Sequence, residues 1–208
     1  MSFNLDQLNF IHLDILKEIG NIGAGNAITS LARIINKKVN MEVPKVRILD
    51  FKEVSEALGQ ADMVVSGIYF DLEGELRGNV LLILNSESTF ALLNMLFNRN
   101  NYEKDITQLD DMEKSAVSEI GNILVGSYIT AISTFTNFKL KISPPSLAID
   151  MAGAILSVPA IQFGEISDKV LFIETAFSEG DRKVIGDFFL IPDYNSYDKL
   201  LKCFGVEC

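Results

Sequence analysis

Apolar residues recur with a helical period near the start of the chain. Ile11, Ile15, Ile19 and Ile22 follow one another at intervals of three or four residues, so they fall on one stripe of a helix. The pattern predicts a partly buried helix from Ile11 to Ile35.

Shorter apolar runs bounded by turn residues follow this helix and predict strands. After the polar segment Phe97–Asp105 the same succession of helix and strands begins again. The first half is predicted to continue with strands Val43–Phe51 (entered through Pro44), Met63–Phe70 and Leu76–Leu84 and a helix Ser86–Phe97. The second is predicted to contain a helix Thr107–Thr136, strands around Lys139–Asp150, Asp168–Phe177 and Val184–Ile191, and a last helix Tyr194–Cys203.

An internal repeat underlies this succession. With a fixed offset of 101 residues, Asp14–Thr29 and Ser115–Thr130 share eight identities in sixteen positions, and Pro44 falls on Pro145. Similarity at a fixed offset is the signature of repeated structural units. We therefore predict one domain made of two pseudo-symmetric halves, about residues 1–103 and 104–208.

The repeat preserves polar residues at helical spacing. Asp14, Glu18, Asn21 and Gly25 follow one another at i, i+4, i+7 and i+11, which places them on one stripe of the first helix. The second helix repeats the stripe with Ser115, Glu119, Asn122 and Gly126. We interpret each stripe as a polar surface onto which a partner settles, with a carboxylate and an amide projecting into that partner.

Glycines stand directly before the two asparagines, at Gly20 and Gly121. A glycine inside a helix costs about 1 kcal/mol relative to alanine, so its repetition suggests a close approach to the backbone. We expect the approaching group to belong to the partner. The alternative is that these glycines serve the packing of the helix itself.

Other kinds of site have weaker support in this sequence. The segment GNIGAG, Gly20–Gly25, lacks the preceding strand and the glycine order of a phosphate-binding loop. Asp14, Glu18 and Asn21 would leave most of the oxygen shell of a hard cation unfilled. His12 is the single histidine, and no nucleophile is paired with a base. Any reactive group is therefore expected from the partner.

The charge of the chain bears on its partners and location. The formal net charge of −10 and the pI near 4.6 argue against binding of nucleic acid. The N-terminal residues lack the features of a signal peptide, and the longest uninterrupted apolar runs, such as Val80–Leu84, are too short to span a bilayer. We expect a cytoplasmic protein without membrane insertion.

The repeated pattern resembles the signature of the CheC-type chemotaxis phosphatases, the group that includes CheC, CheX and FliY. This signature is Asp/Ser-x-x-x-Glu-x-x-Asn, then 22 residues, then proline. It occurs here first as Asp14, Glu18, Asn21 and Pro44, and again as Ser115, Glu119, Asn122 and Pro145. The resemblance implies an α/β fold in the broad sense (α+β): two α-β-β-β-α halves that share a largely antiparallel sheet, with the motif helices on one face.

The resemblance also implies an activity, which is dephosphorylation of the aspartyl phosphate of the response regulator CheY. Asn21 or Asn122 would orient a water for in-line attack on phosphorus, and Glu18 or Glu119 would pair with a lysine of the regulator. Asp14, Ser115, Gly20, Gly121, Pro44 and Pro145 would support the motif. This chain would bind no metal or other cofactor, since Mg²⁺ is expected on the regulator. The receptor deamidase CheD is implied as a second partner.

Two alternatives stay open at this point. Two motifs and a C-terminus without an added domain favour CheC over CheX, which usually carries one motif, and over FliY, which adds a flagellar-switch domain. The protein could instead be a non-catalytic adaptor that binds the regulator or the deamidase. Catalysis predicts faster loss of phosphate at substoichiometric protein, whereas an adaptor predicts binding without turnover.

Overall fold

The first predicted helix is present as α1 (Phe10–Ile35) in the computed structural model, which describes residues 10–42, 45–50, 53, 61–100, 102–163 and 169–203. A long helix, strands and a shorter closing helix occur in this order twice along the chain. The first succession continues with β1 (Asn40–Met41), β2 (Lys45–Asp50), β3 (Val64–Gly74), β4 (Gly78–Asn85) and α2 (Ser86–Leu96). The second contains α3 (Asp111–Thr136), β5 (Leu140–Ile142), β6 (Ser146–Met151), α4 (Ala152–Phe163), β7 (Lys169–Glu179), β8 (Arg182–Pro192) and α5 (Tyr194–Cys203).

Several elements differ from the sequence-based prediction. The helix predicted from Thr107 begins at Asp111, because Ile106–Gln108 form a separate 3-10 turn and Asp110 caps the long helix, and the short strand β1 was not predicted. The strand predicted around Lys139–Asp150 is divided into β5 and β6, because Pro144 and Pro145 have no N–H to donate to a neighbouring strand. The helix α4 was not predicted, since its run AGAILSVPAIQF is short and almost wholly apolar and contains Pro159. Val43, Pro44 and Phe51, predicted to belong to a strand, lie outside the described residues.

The strands form a single antiparallel sheet in which the two halves interleave. Its order is β1, β7, β8, β4, β3 and β5, with β2 also pairing with β7 and β6 with β3. Lys45 of β2 pairs with Glu174 of β7, and Ser146 of β6 pairs with Tyr69 of β3. Strand β2 of the first half thus joins the β7–β8 hairpin of the second half, and β6 of the second half joins the β3–β4 hairpin of the first. This exchange confirms the predicted shared antiparallel sheet.

Helices α1, α2 and α3 cover one face of the sheet, as predicted for the motif helices. Their buried apolar side chains form one core cluster with alternate residues of the strands, among them Leu31, Phe70, Leu82, Val125 and Phe188. The opposite residues of the strands pack under α4, and there an added Cβ on Gly67 would lie 2.8 Å from Ile155. Burial on both faces ties the sheet to its helices through the hydrophobic effect.

The second motif helix is apolar as well as long. Among the described helices, α3 alone has the length and composition to cross a membrane, and half of its most apolar stretch is buried within the protein. Asp110 caps its start, with a side chain that accepts a hydrogen bond from the Glu113 N–H, and Asn137 caps its end in the left-handed conformation with φ of 59°. Its apolar residues thus serve the core of this fold.

Candidate functional site

The polar strip of α1 lies on its exposed side. Asp14 and Glu18 are exposed and Asn21 is half-buried, whereas the intervening Leu16 and Ile19 are 3% and 1% exposed. The spacing of four and three residues follows the turn of the helix, so the polar side chains share a face while the apolar ones enter the core. The carboxylate and the amide of this strip are therefore open to a partner.

The strip of α3 repeats these exposures residue by residue. Ser115 and Glu119 are exposed and Asn122 is half-buried, and Val117 and Ile120 between them are buried. Within the described part of the chain, no hydrogen bond or ion pair engages the side chain of Glu18, Asn21, Glu119 or Asn122. These four groups thus retain their hydrogen-bonding capacity for another molecule.

A shallow depression adjoins the second strip. It is lined by Ser115 and Glu119 of the helix and by Pro145, the motif residue that follows them about 26 positions later in the chain. The remaining residues that line it are Asp111, Lys114, Ser118 and Leu147. The equivalent Pro44 of the first strip lies outside the described residues.

A polar groove separates the two motif helices on the outer surface. Asn122 lines it together with seven other residues, namely Asn26, Thr29 and Ser30 of α1 and Ile123, Gly126, Ser127 and Thr130 of α3. Its four hydroxyl groups donate to carbonyl oxygens one turn back on their own helices, as Thr29 does to Gly25 at 2.8 Å and Thr130 to Gly126 at 2.7 Å. Because these hydroxyl groups bond to their own helices, the groove between the strips is lined mainly by small side chains that do not project from it.

The glycines before the two asparagines face the interior, contrary to our expectation of a partner at these positions. A Cβ added to Gly121 would lie 2.4 Å from Ile68 Cδ1, and Gly20 is likewise buried. Gly23 has a similar role at the helix–helix contact, where an added Cβ would lie 2.5 Å from the Tyr128 ring. Gly121 thus allows close packing on the sheet and Gly23 close packing between the motif helices, and the burial of Gly20 and Gly121 favours the packing alternative.

Two other glycines, Gly25 and Gly126, lie where the helix backbone is open to an approaching partner. A Cβ added to Gly25 or Gly126 would meet no atom within 4 Å. Both residues are half-buried on the polar strips, one turn beyond the asparagines. Gly25 and Gly126 are therefore where a partner could approach the helix backbone.

A buried glutamate anchors the start of the second strip. The side chain of Glu113 is 1% exposed and accepts from Arg99 Nη1 at 2.8 Å and from Lys104 Nζ at 2.7 Å. Glu113 also accepts from the Asp110 N–H at 3.1 Å, which completes the capping box of α3. Burial alone raises the pKa of Glu113, but the hydrogen bonds from Lys104 and Arg99 outweigh it, so the net pKa is lowered.

This anchor was missed by the sequence analysis, although part of its signal was present. The spacing Asp110-x-x-Glu113 is a capping-box pattern that precedes an apolar helix. The two cations were not predictable, because Arg99 and Lys104 reach Glu113 only through the fold of the preceding loop. The start of α3 is thereby tied to that loop just before Ser115.

The chemistry available at the strips is limited to a carboxylate and an amide. Among the described residues, no three histidine, cysteine, aspartate or glutamate side chains are close enough together to hold a metal ion. An amide can orient a water through its oxygen and its two N–H donors, and a carboxylate can accept from a cation. Such groups suit a substrate that brings its own reactive centre.

Comparisons with known proteins agree with this pattern. A model of the CheC-like family matches residues 11–48 and 112–149, which are two segments offset by 101 residues. The CheY-P phosphatase CheC of Bacillus subtilis (strain 168) is 33% identical over 94% of this chain and 94% of its own length. The chain belongs to the CheC-like family. Both matched segments of this CheC-like protein contain the complete Glu and Asn motif.

Two further relatives extend the comparison. The flagellar motor switch phosphatase FliY of Bacillus subtilis (strain 168) is 28% identical over 70% of this chain, which spans 37% of that protein. The crystal structure of FliY from Thermotoga maritima matches with a TM-score of 0.74 and 24% identity, and the match covers 96% of this chain and 98% of that one. The structural likeness shows that the CheC-like protein shares its fold with FliY.

Proposed function

We propose that this CheC-like protein is a phosphatase that removes the phosphoryl group from the aspartate of a CheY-type response regulator. The observation that carries the proposal is the repetition of an exposed carboxylate and an unengaged amide at the same spacing on α1 and α3. The name of the Bacillus subtilis relative, CheY-P phosphatase CheC, supports the choice of substrate.

The amide of Asn21 or Asn122 orients the attacking water. An acyl phosphate is already activated, so positioning the water in line with phosphorus accelerates hydrolysis without a nucleophile from the protein. The bond between phosphorus and the water oxygen forms as the bond between phosphorus and the aspartyl oxygen breaks. Inorganic phosphate and the free carboxylate of the regulator are the products.

The carboxylate of Glu18 or Glu119 holds the regulator in place. Each lies one turn before its asparagine on the same exposed face, so a lysine of the regulator that pairs with it brings the phosphoryl group near the amide. Gly25 and Gly126, which are open on the same strips, let the loops of the regulator approach the helix backbone.

The proposal includes the setting in which the reaction occurs. This chain contributes no metal or other cofactor, and the Mg²⁺ that accompanies the phosphoryl group belongs to the regulator. The receptor deamidase CheD is a second proposed partner. Both proteins meet this one in the cytoplasm.

The test is the decay of phosphorylated CheY from the same organism with a small molar fraction of this protein. Wild-type protein is expected to accelerate the decay. The double variant Asn21→Ala/Asn122→Ala is expected to lose most of the acceleration, since one positioned hydrogen-bonding group at such a site commonly contributes about 10²-fold. Asn195→Ala, at an exposed asparagine of α5, is the matched control and is expected to act as wild type.

Two results would contradict the proposal. A double variant with wild-type turnover would remove the role of the amides. Binding of the phosphorylated regulator without acceleration, even with the deamidase present, would instead favour the adaptor, with the two strips as docking surfaces only.

A further inference from the structure

The two polar strips differ in charge directly beside the glutamate. Lys17 precedes Glu18 on α1, and the residue 101 positions later, before Glu119, is Ser118. Lys17 Nζ lies 3.3 Å from Asp14 Oδ1, and the two side chains are 55% and 72% exposed. In α3 the place of Asp14 is taken by Ser115, so that strip lacks this ion pair.

The local geometry shows what the difference does to each strip. Ser118 lines the depression between the second strip and Pro145, together with Ser115 and Glu119. In the first strip the corresponding place on the helix holds the long side chain of Lys17. Lys17 directly precedes Glu18, and its ammonium lies 3.3 Å from Asp14 Oδ1, one helical turn before that glutamate on the same strip.

The second strip has a lysine as well, but farther along the helix from its glutamate. Lys114 lines the depression together with Asp111 and Glu119 and precedes Glu119 by five residues, about 8 Å along the axis, whereas Lys17 directly precedes Glu18. The net charge near the two glutamates is the same. Asp14, Lys17 and Glu18 sum to one negative charge, and so do Asp111, Lys114 and Glu119, although the first two of these do not occupy equivalent positions in the repeat. The strips thus differ in where the cation sits rather than in net charge.

We propose that Lys17 weakens the first strip and that the second strip, with Ser118 at this position, performs most of the dephosphorylation. The inference rests on the proposed function, in which Glu18 and Glu119 each receive a lysine of the regulator. At the first strip the incoming ammonium meets the like charge of Lys17, and Asp14 is already paired. At the second strip the ammonium meets Glu119 beside the small, uncharged Ser118.

The experiment compares proteins that retain one strip each. Asn122→Ala leaves the first strip and Asn21→Ala leaves the second, and kcat/KM is measured with phosphorylated CheY at low salt. The second strip is expected to be faster by about 3- to 10-fold, the range expected of charge pairs near a protein surface. Adding Lys17→Ser to Asn122→Ala is expected to raise kcat/KM by a similar factor, and Lys17→Arg, which keeps the charge, to leave it unchanged.

Reciprocal variants test the second strip. Ser118→Lys in the Asn21→Ala protein is expected to lower kcat/KM by about 3- to 10-fold, whereas Lys114→Met, which removes a more distant charge, changes it less. Raising the salt from about 0.05 M to about 0.5 M is expected to reduce these differences, because it screens exposed charges. A merely structural effect of the variants would not respond to salt in this way.

The results separate this inference from the proposed function. Equal kcat/KM for the two single-strip proteins, or no gain from Lys17→Ser, would overturn the role of Lys17 while wild-type acceleration upholds the phosphatase. No acceleration by wild-type protein would overturn both.

Discussion

Gly121 lies so close to Ile68 that a Cβ at this glycine would be 2.4 Å from Ile68 Cδ1. Gly121 belongs to α3 and Ile68, which is fully buried, to β3, so the contact joins the second motif helix to the sheet. The glycine thus sets the depth at which α3 sits and, with it, the position of the neighbouring Asn122.

Gly121→Leu is therefore expected to lower the free energy of unfolding by at least about 2 kcal/mol, because it overpacks a buried contact. Gly126→Leu, on the same helix but open to solvent, is expected to stay within about 1 kcal/mol of wild type. Urea denaturation followed by circular dichroism measures both. Equal stability of the two variants would argue against the packing role of Gly121.

Gly126→Leu also separates stability from function. Its side chain would project into the groove between α1 and α3, where Gly126 lies near Asn122. In the Asn21→Ala background, we expect kcat/KM for phosphorylated CheY to fall about 10-fold or more, since misplacement of the docked regulator displaces the water from its line of attack. The control is Thr134→Leu, which adds a leucine at an exposed position of the same helix. An unchanged rate in Gly126→Leu would place the docking surface elsewhere.

Glu113→Ala is expected to destabilise the protein by about 3 kcal/mol, because it removes the common partner of Arg99 and Lys104 and opens the capping box. Since the pKa of Glu113 is lowered in the folded state, its contribution is present above the ordinary glutamate pKa and is lost as the pH falls through the lowered value. Thermal unfolding between neutral and acid pH measures this. The exposed Glu103 offers the matched control Glu103→Ala, for which no such acid-dependent difference is expected.

Asp187 is expected to give the opposite dependence of stability on pH. Burial raises its pKa to about 7, and the nearby charge of Glu174 adds to the shift while Arg47 and Lys45 oppose it. Because the folded-state pKa lies above the unfolded value, the contribution of Asp187 to stability is fully present below the ordinary aspartate pKa and is lost as the pH rises to about 7. Asp187→Asn is expected to remove this decline and to raise the free energy of unfolding at pH 8 by roughly 1–3 kcal/mol. The free energy of unfolding is measured by urea denaturation between about pH 4 and pH 8. The same dependence on pH in wild type and Asp187→Asn would contradict a raised pKa of Asp187.

The sequence alone was sufficient for the local features of the site. The positions of Glu18, Asn21, Glu119 and Asn122 on exposed helix faces follow from their spacing, because the helical period is a property of neighbouring residues. For the same reason the predicted bounds of α1 and α5 agree with the structure to within one residue. The repeat also predicted that the two helices would carry matching strips.

The tertiary structure decided what depends on residues that are distant in the chain. The pairing of β2 with β7 and of β6 with β3 joins residues more than 70 positions apart, and no local pattern specifies such a pairing. The same holds for Gly121, whose partner Ile68 comes from the other half, and for the cations around Glu113. A period along the chain determines which face of a helix is polar, whereas only the packing of the helix against the sheet determines which glycine is buried and which is open to a partner.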